Sequence, residues 1–228
     1  MSNESVRERW AERFGCRDPK IVCVGMNYAA HAGESGDEPP GAPVLFAKFA
    51  NTLLWHGDTI VRPPGVGHVD AEAELAVVIG DRASRVPEAS ATGVIEAYTC
   101  GNDVSARDYQ FADGQWFRGK GLDGFCPLGP ALVDAADLDV SDLRVVQRLN
   151  GAVLQDDRTS NLIFSIPELV SYISHAITLE RGDVILTGTP AGVGVFREPR
   201  ISLAEGDIVE IEIEGIGVLR NDVGAATL

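Results

Sequence analysis

Apolar positions in this chain fall in short blocks broken by glycine, proline and acidic residues, and most blocks are too short for anything but strands. Residues 5–14 are an exception. Val6, Trp10 and Phe14 recur four apart and make one narrow apolar stripe on a short helix that Gly15 ends. The run at 20–25, Lys-Ile-Val-Cys-Val-Gly, reads as a buried strand feeding a loop that contains Asn27, Tyr28, His31 and Glu34. Residues 33–43, rich in Gly, Pro and acids, read as a mobile surface loop. Short strands separated by turns are expected over 44–61, with His56-Gly57-Asp58 as a hairpin signal and Pro63-Pro64-Gly65 as a break.

The stretch 69–80, Val-Asp-Ala-Glu-Ala-Glu-Leu-Ala-Val-Val-Ile-Gly, begins as a strict alternation and ends as a continuous apolar run. It predicts one strand whose first half opens onto a polar cavity and whose second half is buried on both faces. Residues 87–97 predict a helix opened by Pro87, and a glycine-rich segment follows from Gly114 to Gly129. Alternation around Asn150-Gly151 predicts a two-residue hairpin within 143–154. Ser165 followed by Ile-Pro predicts a capped helix, and the blocks at 182–190 and 206–215 read as strands again.

With 228 residues, 45% of them hydrophobic, the chain can bury one large core, and its 25 glycines agree with many tight turns. The 34 acidic residues against 19 basic ones give a formal charge of −15, which disfavours nucleic acid and anionic membrane surfaces as partners. Cys16, Cys23, Cys100 and Cys126 form no CxxC pair, so reduced thiols in a soluble cytoplasmic protein are the default expectation. No apolar leader precedes residue 13, and no run approaches the roughly 20 apolar residues that span a bilayer.

On a strand, Asp70, Glu72 and Glu74 all point to one face. One reading is an exposed edge with solvated acids. The other is a partly buried site in which a divalent cation relieves their repulsion, and the apolar run that follows favours a core position. Asp103, in Gly-Asn-Asp-Val-Ser-Ala-Arg-Asp at 101–108, lies in a short loop or helix start that would bring it beside the two glutamates. Carboxylate oxygens suit Mg, Mn or Ca rather than zinc.

Six segments in order carry a family resemblance: Gly-Met-Asn-Tyr-Ala-Ala-His-Ala-Gly-Glu at 25–34, Pro-Val-Leu-Phe-Ala-Lys at 43–48, the whole of 69–80, Asn-Asp-Val-Ser-Ala-Arg-Asp-Tyr-Gln at 102–110, Trp-Phe-Arg-Gly-Lys-Gly-Leu-Asp-Gly-Phe-Cys-Pro-Leu-Gly-Pro at 116–130, and Gly-Asp-Val-Ile-Leu-Thr-Gly-Thr-Pro-Ala-Gly-Val-Gly at 182–194. With them the chain resembles the fumarylacetoacetate hydrolase family, in particular single-domain members that act on acylpyruvates and related 2-oxo acids. The resemblance implies a β-rich α+β fold, the mixed β-sandwich roll of that family's catalytic domain, spanning 20–228 behind a short helical segment at 1–19, and a homodimer. It implies Glu72, Glu74 and Asp103 as ligands of Mg or Mn, with Ca a substitute in crystals, so that Asp103 replaces Asp70 in the geometric set. It also implies His31 and Glu34 as a water-activating dyad, Lys120 as the cation facing a developing oxyanion, and Arg107, Gln110 and Thr189 as substrate contacts.

The activity so implied is metal-dependent hydrolysis of a carbon–carbon bond in an acylpyruvate-type 2,4-dioxo acid, with the metal as Lewis acid and electron sink for the enolate released. The alternative on the same site is decarboxylation or isomerisation of oxaloacetate or a related small anionic 2-oxo diacid. A third reading, from another class, is a metal-stabilised ligand-binding protein without catalysis. Phe49 after Lys48, and Gly121-Leu122 after Lys120, depart from the family pattern and are expected near the substrate pocket.

Overall fold

The most apolar run of the chain, residues 73–79, sits at the centre of the largest sheet, every residue of it buried. The structure, a computed structural model, describes residues 3–36 and 38–225. In chain order the strands are β1 (Ile21–Gly25), β2 (Val44–Lys48), β3 (Leu53–Trp55), β4 (Thr59–Arg62), β5 (Val69–Asp70), β6 (Ala73–Ile79), β7 (Ile95–Asn102), β8 (Ser105–Ala106), β9 (Cys126–Asp134), β10 (Arg144–Leu149), β11 (Ala152–Arg158), β12 (Val184–Leu186), β13 (Ile208–Ile213) and β14 (Gly217–Ala225). The helices are α1 (Asn3–Phe14), α2 (Ala29–Ser35), α3 (Arg107–Ala112), α4 (Phe117–Lys120) and α5 (Ile166–Ala176).

Seven strands in the order β2-β1-β12-β6-β7-β9-β3 form a mixed sheet, and β11-β10-β13-β14-β4 form a second. Alternation along β6 sends Leu75, Val77 and Ile79 into the core between the sheets, where they join Val145, Ile211, Ile213 and Leu219. Ala76 and Val78 face the opposite way, into a smaller cluster closed by Trp10 and Phe14 of α1. Trp10 also donates Nε1–H to Gly182 O at 3.0 Å, so α1 is tied to the sheet by a polar contact as well as by its apolar stripe. Val6, the third member of that stripe, has its side chain outside the described residues.

Several expectations hold. Asn150 and Gly151 both take positive φ, 52° and 82°, and join β10 to β11 as a hairpin. Ser165 caps α5 by accepting from Glu168 N, with Pro167 in the first turn.

Others are corrected. Residues 69–80 are not one strand, because the chain leaves the ladder at Ala71 and Glu72 between β5 and β6. Residues 87–97 form a 3-10 turn over Glu88–Val94 that passes straight into β7, since Ile95 and Ala97 fill the core. His56-Gly57-Asp58 turns the chain, but β3 and β4 do not pair. β3 runs parallel to β9 and β4 parallel to β14, so this turn carries the chain from one sheet to the other. The 33–43 loop is shorter than expected, with Gly33–Ser35 in α2 and Gly36 ending that helix in the left-handed conformation, φ 83°.

Candidate active site

The gap in the ladder at Ala71 and Glu72 turns two carboxylates inward, and side chains take over the backbone bonds that a strand would have made. Asn102 Oδ1 accepts from Glu72 N at 3.1 Å, and Gln155 Oε1 accepts from Ala73 N at 2.9 Å. Asp103, directly after β7, donates its N–H to Glu72 O at 3.0 Å. Glu72, Glu74 and Asp103 thereby converge, all buried, with one oxygen from each within 4.8 Å of the others.

Asp70 is drawn away from this group. Its oxygens accept from Gly194 N (3.0 Å) and Val195 N (2.9 Å) and pair with Arg107 Nη2 (3.1 Å). It acts as a clamp on the 188–197 loop rather than as a member of the carboxylate triad.

Three buried cations surround the carboxylates. Lys120 Nζ bridges Glu72 Oε2 (2.6 Å) and Asp103 Oδ2 (2.7 Å), and Arg107 Nη2 reaches Glu72 Oε1 at 2.6 Å. Lys48 Nζ pairs with Asp103 Oδ1 at 2.7 Å and donates to the carbonyls of Val104, Lys120 and Phe125. Burial works against ionisation of Glu72, yet Lys120 and Arg107 outweigh it and hold that carboxyl well below its usual range.

Glu74 is the contrast. Among the described residues no cation pairs with it; it accepts Gly188 N–H at 2.6 Å, and burial together with the charges of Asp103 and Glu72 pushes its carboxyl well above the usual range. A divalent cation between the three carboxylates removes that repulsion, and an all-oxygen donor set fits a hard ion such as Mg or Mn. Gly188 is needed here. Its φ is +106°, and an added Cβ would lie 2.6 Å from Asn27 Cβ.

The cavity these groups line holds about 200 Å³, below the range typical of drug-sized ligands. Glu72, Glu74, Asp103, Lys120, Arg107, Gln110, Thr189 and His31 all line it, with Phe46, Phe111, Trp116 and Phe196 as apolar walls. Glu34 stands behind His31, accepting at Oε1 from Nδ1 at 2.8 Å across one helical turn of α2, while its Oε2 accepts Gly192 N–H at 2.8 Å. All nine residues named from the sequence thus fall in one place. Phe49, Gly121 and Leu122 do not line the cavity: Phe49 is exposed and packs edge-on against Phe117. Two residues that touch this network, Lys48 and Gln155, were given no role by the sequence. Lys48 had one available signal, a lysine at the end of an otherwise apolar strand.

The fold is thus a β-rich roll whose central strand opens into a carboxylate cluster, with the histidine of a histidine–glutamate pair lining the same small cavity. The chain belongs to the fumarylacetoacetate hydrolase family: the family model described as fumarylacetoacetate (FAA) hydrolase C-terminal matches residues 20–224. It is 46% identical over 210 residues to the mitochondrial oxaloacetate tautomerase FAHD2A of Bos taurus, a match that spans 91% of this chain and 67% of the bovine one. Among solved structures it resembles a 5-carboxymethyl-2-hydroxymuconate delta-isomerase from Mycobacterium smegmatis, with 47% identity, TM-score 0.83 and coverage of 92% and 80%. It also resembles a fumarylpyruvate hydrolase from Pseudomonas aeruginosa, solved with Mn2+ and pyruvate, with 30% identity, TM-score 0.83 and coverage of 91% and 90%. These three relatives carry the names of enzymes of small organic acids. No helix among the described residues is long and apolar enough to cross a membrane.

Proposed function

We propose that this chain moves a proton at C3 of a small 2-oxo diacid of the oxaloacetate type, interconverting keto and enol forms, with Mg or Mn held by Glu72, Glu74 and Asp103. The observation that carries this reading is the His31–Glu34 pair at the wall of the cavity. A carboxylate accepting from Nδ1 fixes the neutral imidazole with its proton there, which leaves Nε2 as a base. His31 Nε2 takes a proton from C3, the electron pair moves to the 2-oxo oxygen, and return of a proton to that oxygen or to C3 gives the enol or the keto form. A divalent cation held by Glu72, Glu74 and Asp103 would supply Lewis-acid polarisation of the 2-oxo group and so acidify C3–H. Lys120 and Arg107 add positive charge where the anion is held, and Gln110 and Thr189 offer neutral polar contacts.

The names of the tautomerase and isomerase relatives support this reading over hydrolysis. A second reading has its own support in the fumarylpyruvate hydrolase: the same histidine would take its proton from water, and the hydroxide would cleave an acylpyruvate. The deciding assay runs oxaloacetate enol–keto conversion, oxaloacetate decarboxylation and fumarylpyruvate cleavage side by side, with Mg2+, with Mn2+ and after chelation. Acceleration of the first, lost on chelation, is expected. Fumarylpyruvate cleavage without any effect on oxaloacetate would transfer the assignment to hydrolysis.

A further inference from the structure

Thr189 lines the cavity, but a hydroxyl is both donor and acceptor, and which face it shows to a ligand depends on its other partner. That partner is Gln155 of β11, which is fully buried and remote in sequence from every residue discussed as touching substrate. The orientation of its amide is fixed from both ends. Ala73 N–H can only donate, so Oε1 must face it (2.9 Å), and Pro190 O can only accept, so Nε2 must face that (2.7 Å). The second Nε2 hydrogen then goes to Thr189 Oγ1 at 2.8 Å. With that oxygen accepting, the Thr189 hydroxyl hydrogen is left over, and among the described residues no hydrogen bond uses it.

We infer that Gln155 is a positioning residue that makes Thr189 an obligate hydrogen-bond donor to a carboxylate oxygen of the substrate. The inference rests on the reading of the cavity as a 2-oxo diacid site. A backbone amide between two of the clustered carboxylates, Ala73, sets the polarity of the relay, and the relay ends in the cavity. The same logic acts at Gln110, whose Oε1 is claimed by Arg107 Nη1 at 2.8 Å, so that its NH2 group is turned to donate. Two side chains in the cavity that are each left to donate suit a ligand group that only accepts, and a carboxylate is such a group.

The probe is malonate, a dicarboxylate with no 2-oxo group to enolise, titrated calorimetrically with Mg2+ present into wild type, Thr189→Val, Thr189→Ser, Gln155→Met and the Thr189→Val/Gln155→Met double variant. Loss of a hydrogen bond to a charged group predicts about tenfold weaker binding for Thr189→Val, with Thr189→Ser within about twofold of wild type. Gln155→Met weakens binding severalfold on its own and by less than about twofold when Thr189 is already Val, because both changes remove one interaction. A Gln155 with a merely structural role would weaken binding equally in both backgrounds, and that result overturns the inference. So does undiminished binding by Thr189→Val, or no binding of malonate by wild type. If Gln155→Met does not fold, Gln155→Glu, which keeps the acceptor for Ala73 N–H but replaces the donor facing Thr189, takes its place in both backgrounds and is read by the same criterion. Oxaloacetate conversion by the wild type is measured in parallel: its absence, with the malonate pattern intact, removes the proposed reaction and leaves the relay standing.

Discussion

The two halves of the site are held in opposite ways. The carboxylates sit in the gap before β6 (Glu72), on β6 (Glu74) and just after β7 (Asp103), with their cations on β2, α3 and α4, and every one is buried in a mesh of ion pairs and backbone bonds. His31 and Glu34 ride instead on α2, a seven-residue helix with no side-chain cap at its start. Such a helix has too few internal bonds to stand alone and depends on its anchors. Asn27 supplies one anchor, bonding Phe164 at both N–H and carbonyl and Thr187 O, the Tyr28–Leu162 bridge another, and the Glu34–Gly192 bond a third. The electrostatic centre is therefore over-determined by charge, whereas the proposed acid–base half is held without a cation among the described residues, by hydrogen bonds and packing from its flanks. On the proposed reading, cation binding and proton transfer reside in separable parts.

His31→Ala tests that separation most sharply. Catalysis should fall by about 10²- to 10⁴-fold while the rise in melting temperature on adding Mn2+ is unchanged; a lost Mn2+ response would show that the halves are coupled. Lys48→Met attacks the other half. It leaves Asp103 buried without one of its cations and three carbonyls without a donor, and about 3–5 kcal/mol should disappear from the urea unfolding free energy. A loss below about 1 kcal/mol would mean the mesh does not bear on stability.

Gly188→Ala forces a side chain into a φ of +106° against Asn27, which sits at the junction of the two halves. It should cost about 1–3 kcal/mol in the same unfolding measurement and weaken the Mn2+ response, since the amide held against Glu74 must shift. Ser165→Ala lies outside both halves. Removing the α5 cap should lower stability by about 0.5–1 kcal/mol with turnover unchanged, and a change in turnover would show that α5 bears on α2 through the Asn27–Phe164 bonds.

What was legible in the sequence follows the range of the interactions concerned. The buried run of β6, the Asn150-Gly151 hairpin and the Ser165 cap are decided by neighbours within a few residues, and local pattern reads them. The carboxylate set is not local. Alternation placed Asp70 with Glu72 and Glu74, but Asp70 is claimed by amides 124 and 125 residues away and by Arg107, and Asp103 takes the vacated role because β7 pairs with β6. Only the family resemblance carried that information. Gln155 went unseen for the same reason, since its partners lie 82 and 34 residues off along the chain and no motif surrounds it. The 3-10 turn at 88–94 was read as a longer helix because its small polar residues resemble a helical surface, while the apolar residues just after it belong to a strand.

Lys48 binds the carbonyls of Val104, Lys120 and Phe125 with one ammonium group, so the excursion from β7 through α3 and α4 to β9 is closed near both ends by a single side chain. The stretch between brings Phe111 and Trp116 to the cavity wall. Substitutions or length changes within 111–116 can remodel the apolar wall while the base of the loop keeps Lys120 in register with Glu72 and Asp103. The apolar wall and the charged centre are thus anchored by the same lysine, the one that neutralises Asp103.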